Sequence, residues 1–240
     1  PNASIKNYDN PWKQPRAQKA QWAKGLNLKD ANKEKCPTLF FAGCTPAFDP
    51  LLKHDIVNSA QVLKKSGVDI GVFGDTEICC GSPAIRLGDR ETFFAVVKRN
   101  IEQFAKAGVK EIITQCAGCY HVLKYDFPEV PGMPEINFKV YHISEYLDRL
   151  VKDGTITFKR EVPLTVTWHD PCHLGRMLGV YEEPRQILKA LGVEHFGQTG
   201  TIADLYRHHG IDTNAILHAA QAVSGGRGIR YRRDLATGIG

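Results

Sequence analysis

The sequence has no run approaching the ~20 apolar residues needed to span a bilayer. Its first residues contain no apolar stretch of the kind a secretory signal carries. Both absences point to a cytoplasmic protein whose membrane association, if any, runs through partner subunits. An even complement of cysteines is also missing: there are seven, and an odd count without a signal argues against a secreted disulfide framework. Excess charge is confined to one stretch. Residues 1–37 hold eight Lys or Arg against three Asp or Glu, which accounts for the whole net charge of +5. That stretch lacks the aromatic platforms and recognition motif of a nucleic-acid binder, so it reads as a solvated basic linker arm with a short helix near 15–25, and no nucleic-acid partner is expected. The chain opens on Pro1 without Met and is read as a fragment or a processed product. Residues 195–240 lack Lys, Glu, Pro, Cys, Trp and Met yet carry four of the nine His, which marks an atypical tail.

From residue 38 the pattern becomes regular. "TLFFAG", "VDIGVFG", "KEIITQ", "FKVYHI" and "LTVTW" read as short buried strands. "HDIVNSAQVLKKSG" and "RETFFAVVKRNIEQFAKAG" show helical apolar spacing and close on Gly67 and Gly108. "CAGCYHVLKYDFP" starts a helix that Pro128 stops. "SEYLDRLVKDG" reads as a helix with Ser144 at its N-cap, and "EPRQILKALG" as another. Strand and helix alternate, which predicts an α/β fold: a mostly parallel sheet with flanking helices. The boundaries expected are an arm at 1–37, a first domain at 38–160 and a partial second domain at 161–240.

In such sheets, ligands gather beyond the carboxyl ends of the strands. Cys44, the pair Cys79–Cys80, Cys116 and Cys172 each follow a different predicted strand, so all fall at one edge of the sheet. Cys116 and Cys119 form a C-x-x-C. Soft thiolates select iron–sulfur clusters, zinc or Cu(I) over hard ions. Adjacent cysteines point in different directions and serve two metal atoms better than one, which favours a multinuclear cluster over a single tetrahedral zinc. Gly81 suits a turn whose backbone must approach that cluster and donate N–H groups to sulfur, and Gly118 suits a similar role. Cys36 lies outside the pattern and reads as a free thiol. His121 reads as packed rather than catalytic. His169, Asp170, His173 and Arg176 flank Cys172. They offer either a proton donor and an anion clamp or loop scaffolding.

The pattern C-x34-CCG-x34-C-x-x-C resembles the cysteine-rich "CCG" domain of heterodisulfide reductases and their relatives, over roughly residues 38–194. The segment "VTWHDPCHLGRMLGVYEEPRQILKALG" (166–192) looks like the start of that family's second repeat. The arm "NYDNPWKQPRAQKAQWA" resembles the linker that follows a ferredoxin-like module in the D-type subunit and in the related subunit of the sulfite-reduction membrane complex. The resemblance implies two Rossmann-like CCG repeats, with the second incomplete: another CCG is absent near 205–220, and Cys172 is the single cysteine of that half. Cys172 is either a contributor to the site or a remnant.

The resemblance further implies a 4Fe–4S cluster, non-cubane in the best-known members, held by Cys44, Cys79, Cys80, Cys116 and Cys119. It implies an oxidoreductase subunit that reduces a disulfide or related sulfur species in one-electron steps, with His169 and His173 as proton donors. Electrons would come from a ferredoxin-like module, a flavoprotein, or a membrane cytochrome or quinol subunit. The alternative is a non-catalytic electron-transfer subunit, similar to that of glycolate or lactate oxidation complexes or to the partner of a flavoprotein. A zinc-stabilised assembly module is a third reading.

Overall fold

The structure is a computed structural model. It describes residues 1–134, 136–160, 162, 166 and 168–193. The chain divides into two units: 1–164 with 170–194, and 165–169 with 195–240. Of the second unit only Val166, Trp168 and His169 are described.

In the first unit five strands form one parallel sheet. They are β1 (Lys29–Asp30), β2 (Thr38–Phe40), β3 (Ile70–Val72), β4 (Glu111–Thr114) and β5 (Lys139–His142), and their spatial order is β1-β3-β2-β4-β5. The pairings are in parallel register, with Leu39 opposite both Gly71 and Ile112. The central strands are apolar on both sides because both faces are covered. Leu39, Phe41 and Ile112 belong to one core layer, and Phe40, Ile70 and Ile113 to the other.

Of the helices, α1 (Asn2–Tyr8), α2 (Arg16–Lys19), α3 (Cys44–Phe48), α5 (Ser82–Arg86) and α7 (Ala117–His121) are short. The longer ones are α4 (Lys53–Lys65), α6 (Arg90–Ala107), α8 (Ile143–Lys152) and α9 (Glu182–Ala190). Helix α6 buries Phe93, Val96, Val97, Ile101 and Phe104, the spacing of one helical stripe, against the first layer. Asp89 caps its start by accepting from the Thr92 N–H at 3.0 Å, and Gly108 ends it at φ 72°. Helix α4 (Ile56, Ala60, Leu63) and helix α8 (Tyr146, Leu150) fill the opposite layer. The expected α/β class and the long helices are thus found as read. The strand expected at "LTVTW" lies largely outside the described residues, as does the tail from 194 onward. No helix among the described residues is long and apolar enough to cross a membrane.

Two local expectations are corrected. Helix α8 is capped by His142, not Ser144: the ring accepts from the Ser144 N–H, and Glu145 reaches back to the His142 N–H at 2.9 Å, a reciprocal capping box. Residues 1–37 are not a solvated arm. Ile5 and Trp22 enter the two core layers, β1 pairs with β3 at the sheet edge, and Lys19 is 2% exposed. Composition misled because the segment anchors itself by a few side chains at irregular spacing. Asp9 alone binds Arg16 at 2.6 Å and holds Arg99 of α6 in a two-pronged pair at 2.6 and 3.0 Å.

Candidate metal centre

The sheet order creates the site. The chain leaves β2 toward β3 on one side and leaves β4 toward β5 on the other, so the loops after β2 and β4 diverge and open a crevice between them. Cys44 begins α3 directly after β2, and Cys116 and Cys119 stand at the start of α7 directly after β4. Cys79 and Cys80 arrive in the loop after β3. Five of the six cysteines read onto one rim therefore meet there.

Their thiols lie close enough for each to shift the next: Cys44 with Cys79, Cys79 with Cys80, Cys80 with Cys119, and Cys119 with Cys116. All are buried except Cys116, which is half-buried. Backbone N–H groups are aimed at the same atoms. Gly81 donates to Cys79 Sγ and Cys119 donates to Cys116 Sγ, both at 3.4 Å, while the amides of Gly118 and Ser82 serve Cys116 and Cys80. Gly43 packs so closely that an added Cβ would lie 3.1 Å from Cys119 Sγ.

The electrostatics follow from these bonds. Hydrogen bonds from Cys119, then from the Cys119 and Gly118 amides, bring Cys116 down to about 6 against the effect of burial. Cys80 is lowered too, chiefly by the Cys119 and Cys79 thiols. Cys119, whose thiol faces both Cys116 and Cys80, is raised by those two neighbours and by burial. Cys44 is raised by its bond to Cys79 and by burial. At Cys79 the bond from Cys44 lowers the thiol, but the bond to Cys80 and burial outweigh it and push it up to about 12. Bare thiols this close do not all ionise together: Cys44, Cys79 and Cys119 are pushed up while Cys80 and Cys116 are pulled down. Metal ions would displace those protons.

The donor set fits a multinuclear sulfide centre. Five soft ligands are lined up, several with N–H donors suited to negative sulfur. Among the described residues, no three His, Cys, Asp or Glu side chains are arranged to hold a single ion.

Four residues outside the cysteine pattern hold the loops. Glu77 is 3% exposed, and its carboxylate accepts from the N–H of Ala42 at 2.9 Å and of Gly43 at 3.0 Å, pinning the turn into Cys44. Lys19 donates to Cys44 Sγ at 3.4 Å and to the Glu77 carbonyl at 2.9 Å. Burial alone would lower this ammonium, but its interactions with Cys44, Glu77 and Cys79 outweigh that and raise it. The Cys79–Cys80 loop is fastened from two sides: Cys79 N–H donates to the Asp9 carbonyl at 2.9 Å, and Asn100 of α6 donates to the Cys79 carbonyl at 3.0 Å. Glu77 left a signal in sequence, lying two residues before Cys79 on the same rim. Lys19, one of eight basic residues in an aperiodic segment, left none.

The remaining candidates are placed differently. Cys36 is buried, with its thiol donating to the Thr38 carbonyl at 3.3 Å at the start of β2, the far end from Cys44. Cys172 and Arg176 are exposed, and Asp170 pairs with Arg185 at 2.7 Å. His121 is buried, as read: it bonds Arg86 at 2.8 Å, faces Asp126 at 3.3 Å and stacks on Tyr125. His173 is half-buried with its ring 5.5 Å from that of His121, and its Nδ1 has no hydrogen-bond partner among the described residues. His169 is exposed and lies in the other unit. After α7 the backbone continues as a π-helical turn over Val122–Asp126, a distortion that recurs at functional sites.

His142 supports the loop from beneath. Its Nε2 donates to the Gln115 carbonyl at 3.1 Å, one residue before Cys116, and its Nδ1 faces the Ser144 hydroxyl at 2.8 Å. Burial lowers this imidazole from 6.5 to about 4. The residue is therefore neutral when folded, and its contribution is complete above pH 6.5. It is lost as pH falls toward 4, because the unfolded chain takes up the proton first. The expected loss across that window is about 3 kcal/mol. Urea titrations at a series of pH values check it, with His142→Gln flattening this part of the profile.

A parallel α/β domain with cysteines from three successive crossovers gathered at its switch point is a thiol-lined binding domain of the metal or redox type. The chain belongs to the cysteine-rich domain family known as CCG, whose model matches residues 38–124 and 166–198. It is 37% identical over 193 residues to the EtfAB:quinone oxidoreductase of Syntrophomonas wolfei, covering 78% of this chain and 26% of that protein. It is 32% identical over 207 residues to the D-type subunit of the dihydromethanophenazine:CoB–CoM heterodisulfide reductase of Methanosarcina mazei, covering 85% of this chain and 49% of that relative. An uncharacterised iron–sulfur protein of Methanococcus maripaludis is 40% identical over 158 residues, 66% of this chain and 29% of its own length. The chain thus spans half or less of the length of these relatives. No solved structure matches it.

Proposed function

We propose that the domain holds a 4Fe–4S cluster on Cys44, Cys79, Cys80, Cys116 and Cys119, and that it serves as the iron–sulfur part of a heterodisulfide-reductase-like oxidoreductase. The observation that carries this reading is the convergence of five thiols at the switch point, with backbone N–H groups aimed at them. Similarity to the D-type component of a heterodisulfide reductase adds support. When bound, such a cluster supplies electrons singly to a substrate sulfur. Cleaving a disulfide takes two electrons and two protons and yields two thiols.

The protein groups bind and position. Glu77 and Asp9 fix the two loops, and the amide donors stabilise negative sulfur. Access falls to the Cys116 side, where the one half-buried thiol of the row lies. A proton role is assigned to His173, whose Nδ1 is unpartnered and whose ring meets His121, two residues beyond Cys119. His169 remains a candidate from the sequence alone. Electrons would arrive from a ferredoxin-like module, a flavoprotein, or a membrane cytochrome or quinol subunit.

The similarity to an EtfAB:quinone oxidoreductase favours a second reading, an electron-transfer subunit without a sulfur substrate of its own. Anaerobic purification with iron, sulfide and zinc quantified, followed by low-temperature electron paramagnetic resonance, tests the common part. Iron with sulfide is expected; zinc alone would end the redox reading. A thiol-release assay with a disulfide and an artificial donor separates the two readings, since turnover is expected only of the first.

A further inference from the structure

We infer that the N-terminal segment forms one wall of the metal centre, and that Lys19 is the buried cation balancing the charge of that centre and setting its reduction potential. The inference rests on the iron–sulfur reading above and deepens it by assigning a potential-setting residue.

An ammonium has three protons to donate. Lys19 directs its own at the Glu77 carbonyl at 2.9 Å, the Glu77 carboxylate at 3.1 Å and Cys44 Sγ at 3.4 Å. With 2% exposure it makes these bonds out of reach of water, where charge interactions are strongest. A Lys–Glu pair serving only to staple the fold needs the first two contacts. It has no need of the third, onto a sulfur of the metal-binding row.

The position is also built rather than incidental. Lys19 ends helix α2, and that helix is tied through Arg16 to Asp9, which in turn is gripped by Arg99. The same Asp9 receives the Cys79 N–H through its carbonyl. Two residues of the N-terminal segment thus contact two stations of the row, Cys44 and Cys79.

Reduction adds negative charge to a centre already rich in thiolate. A positive charge in contact with a ligand sulfur stabilises the reduced form more than the oxidised form and raises the midpoint potential. The Glu77 carboxylate, bonded to the same ammonium, opposes this. Removing each charge should therefore move the midpoint in opposite directions.

The experiment uses the full chain reconstituted anaerobically with iron and sulfide. Wild type, Lys19→Met, Lys19→Arg and Glu77→Gln are compared by iron per chain and by a redox titration followed spectroscopically. Lys19→Met is expected to shift the midpoint negative, Lys19→Arg to stay nearer wild type, and Glu77→Gln to shift it positive. Loss of the cluster in Lys19→Met with retention in Lys19→Arg also supports the inference, since charge is then what assembly needs. If both Lys19 variants lose the cluster, Glu77→Gln decides: a positive shift supports, no shift overturns. An unmoved midpoint in Lys19→Met, or shifts of the same sign in Lys19→Met and Glu77→Gln, overturns it, because general loosening moves both alike. Wild type without iron and sulfide sinks the cluster reading and this inference with it. A loaded wild type whose variants titrate identically sinks only the inference.

Discussion

Replacing Cys79 by serine is expected to strip most of the bound iron from the chain, while Cys36→Ser leaves it in place. Cys79 sits inside the group, between Cys44 on one side and Cys80 on the other. Its loop is fixed by Asp9 and Asn100, so a shorter, harder oxygen ligand has no freedom to move in and compensate. Cys36 differs in every respect. It lies at the opposite end of β2, its thiol satisfies the Thr38 carbonyl, and it touches none of that loop's anchors. A serine there keeps the same hydrogen bond. The measurement is iron and acid-labile sulfide per chain after identical reconstitution. Equal losses in the two variants would contradict the assignment of the centre.

Gly81→Ala carries the second large effect, on stability as well as loading. Gly81 adopts φ 84°, a region that costs an L-residue roughly 1–2 kcal/mol. An added Cβ would also lie 2.8 Å from Phe93 Cδ2 and 3.2 Å from Val96 Cγ1, both on the buried stripe of α6. Overpacking of that kind costs about 1–3 kcal/mol. The two together predict a loss of about 2–5 kcal/mol in chemical denaturation. Because the Gly81 N–H also serves Cys79 Sγ, iron loading should fall with it. Gly88→Ala is the control: it has a similar φ of 78° but open space around it, so backbone strain alone is tested there.

The parts of this molecule legible in sequence were those governed by period or by topology. The stripe of α6 repeats at helical spacing, and the glycines that end α4 and α6 stand where a left-handed residue is needed. Placing the five cysteines on one rim required only that each follow a strand of a parallel sheet. What stayed hidden was governed by single long-range contacts. Lys19 meets Glu77 across 58 residues, and Asp9 meets Arg99 across 90. No local propensity encodes such pairings, so residues 1–37 looked solvent-borne. The His142 cap was missed for a related reason: histidine is a rare N-cap, and the neighbouring Ser144 is a common one.

The spread of the thiols along the chain has a consequence for biogenesis. Cys44 and Cys119 follow different strands and meet through the pairing of β2 with β4, a non-local parallel pairing of the kind that closes slowly. On the proposed iron–sulfur reading, the thiols that would hold the cluster are gathered in one place only once that part of the sheet has closed. On that reading, a mutation that delays sheet closure is expected to lower metal loading without altering a single ligand.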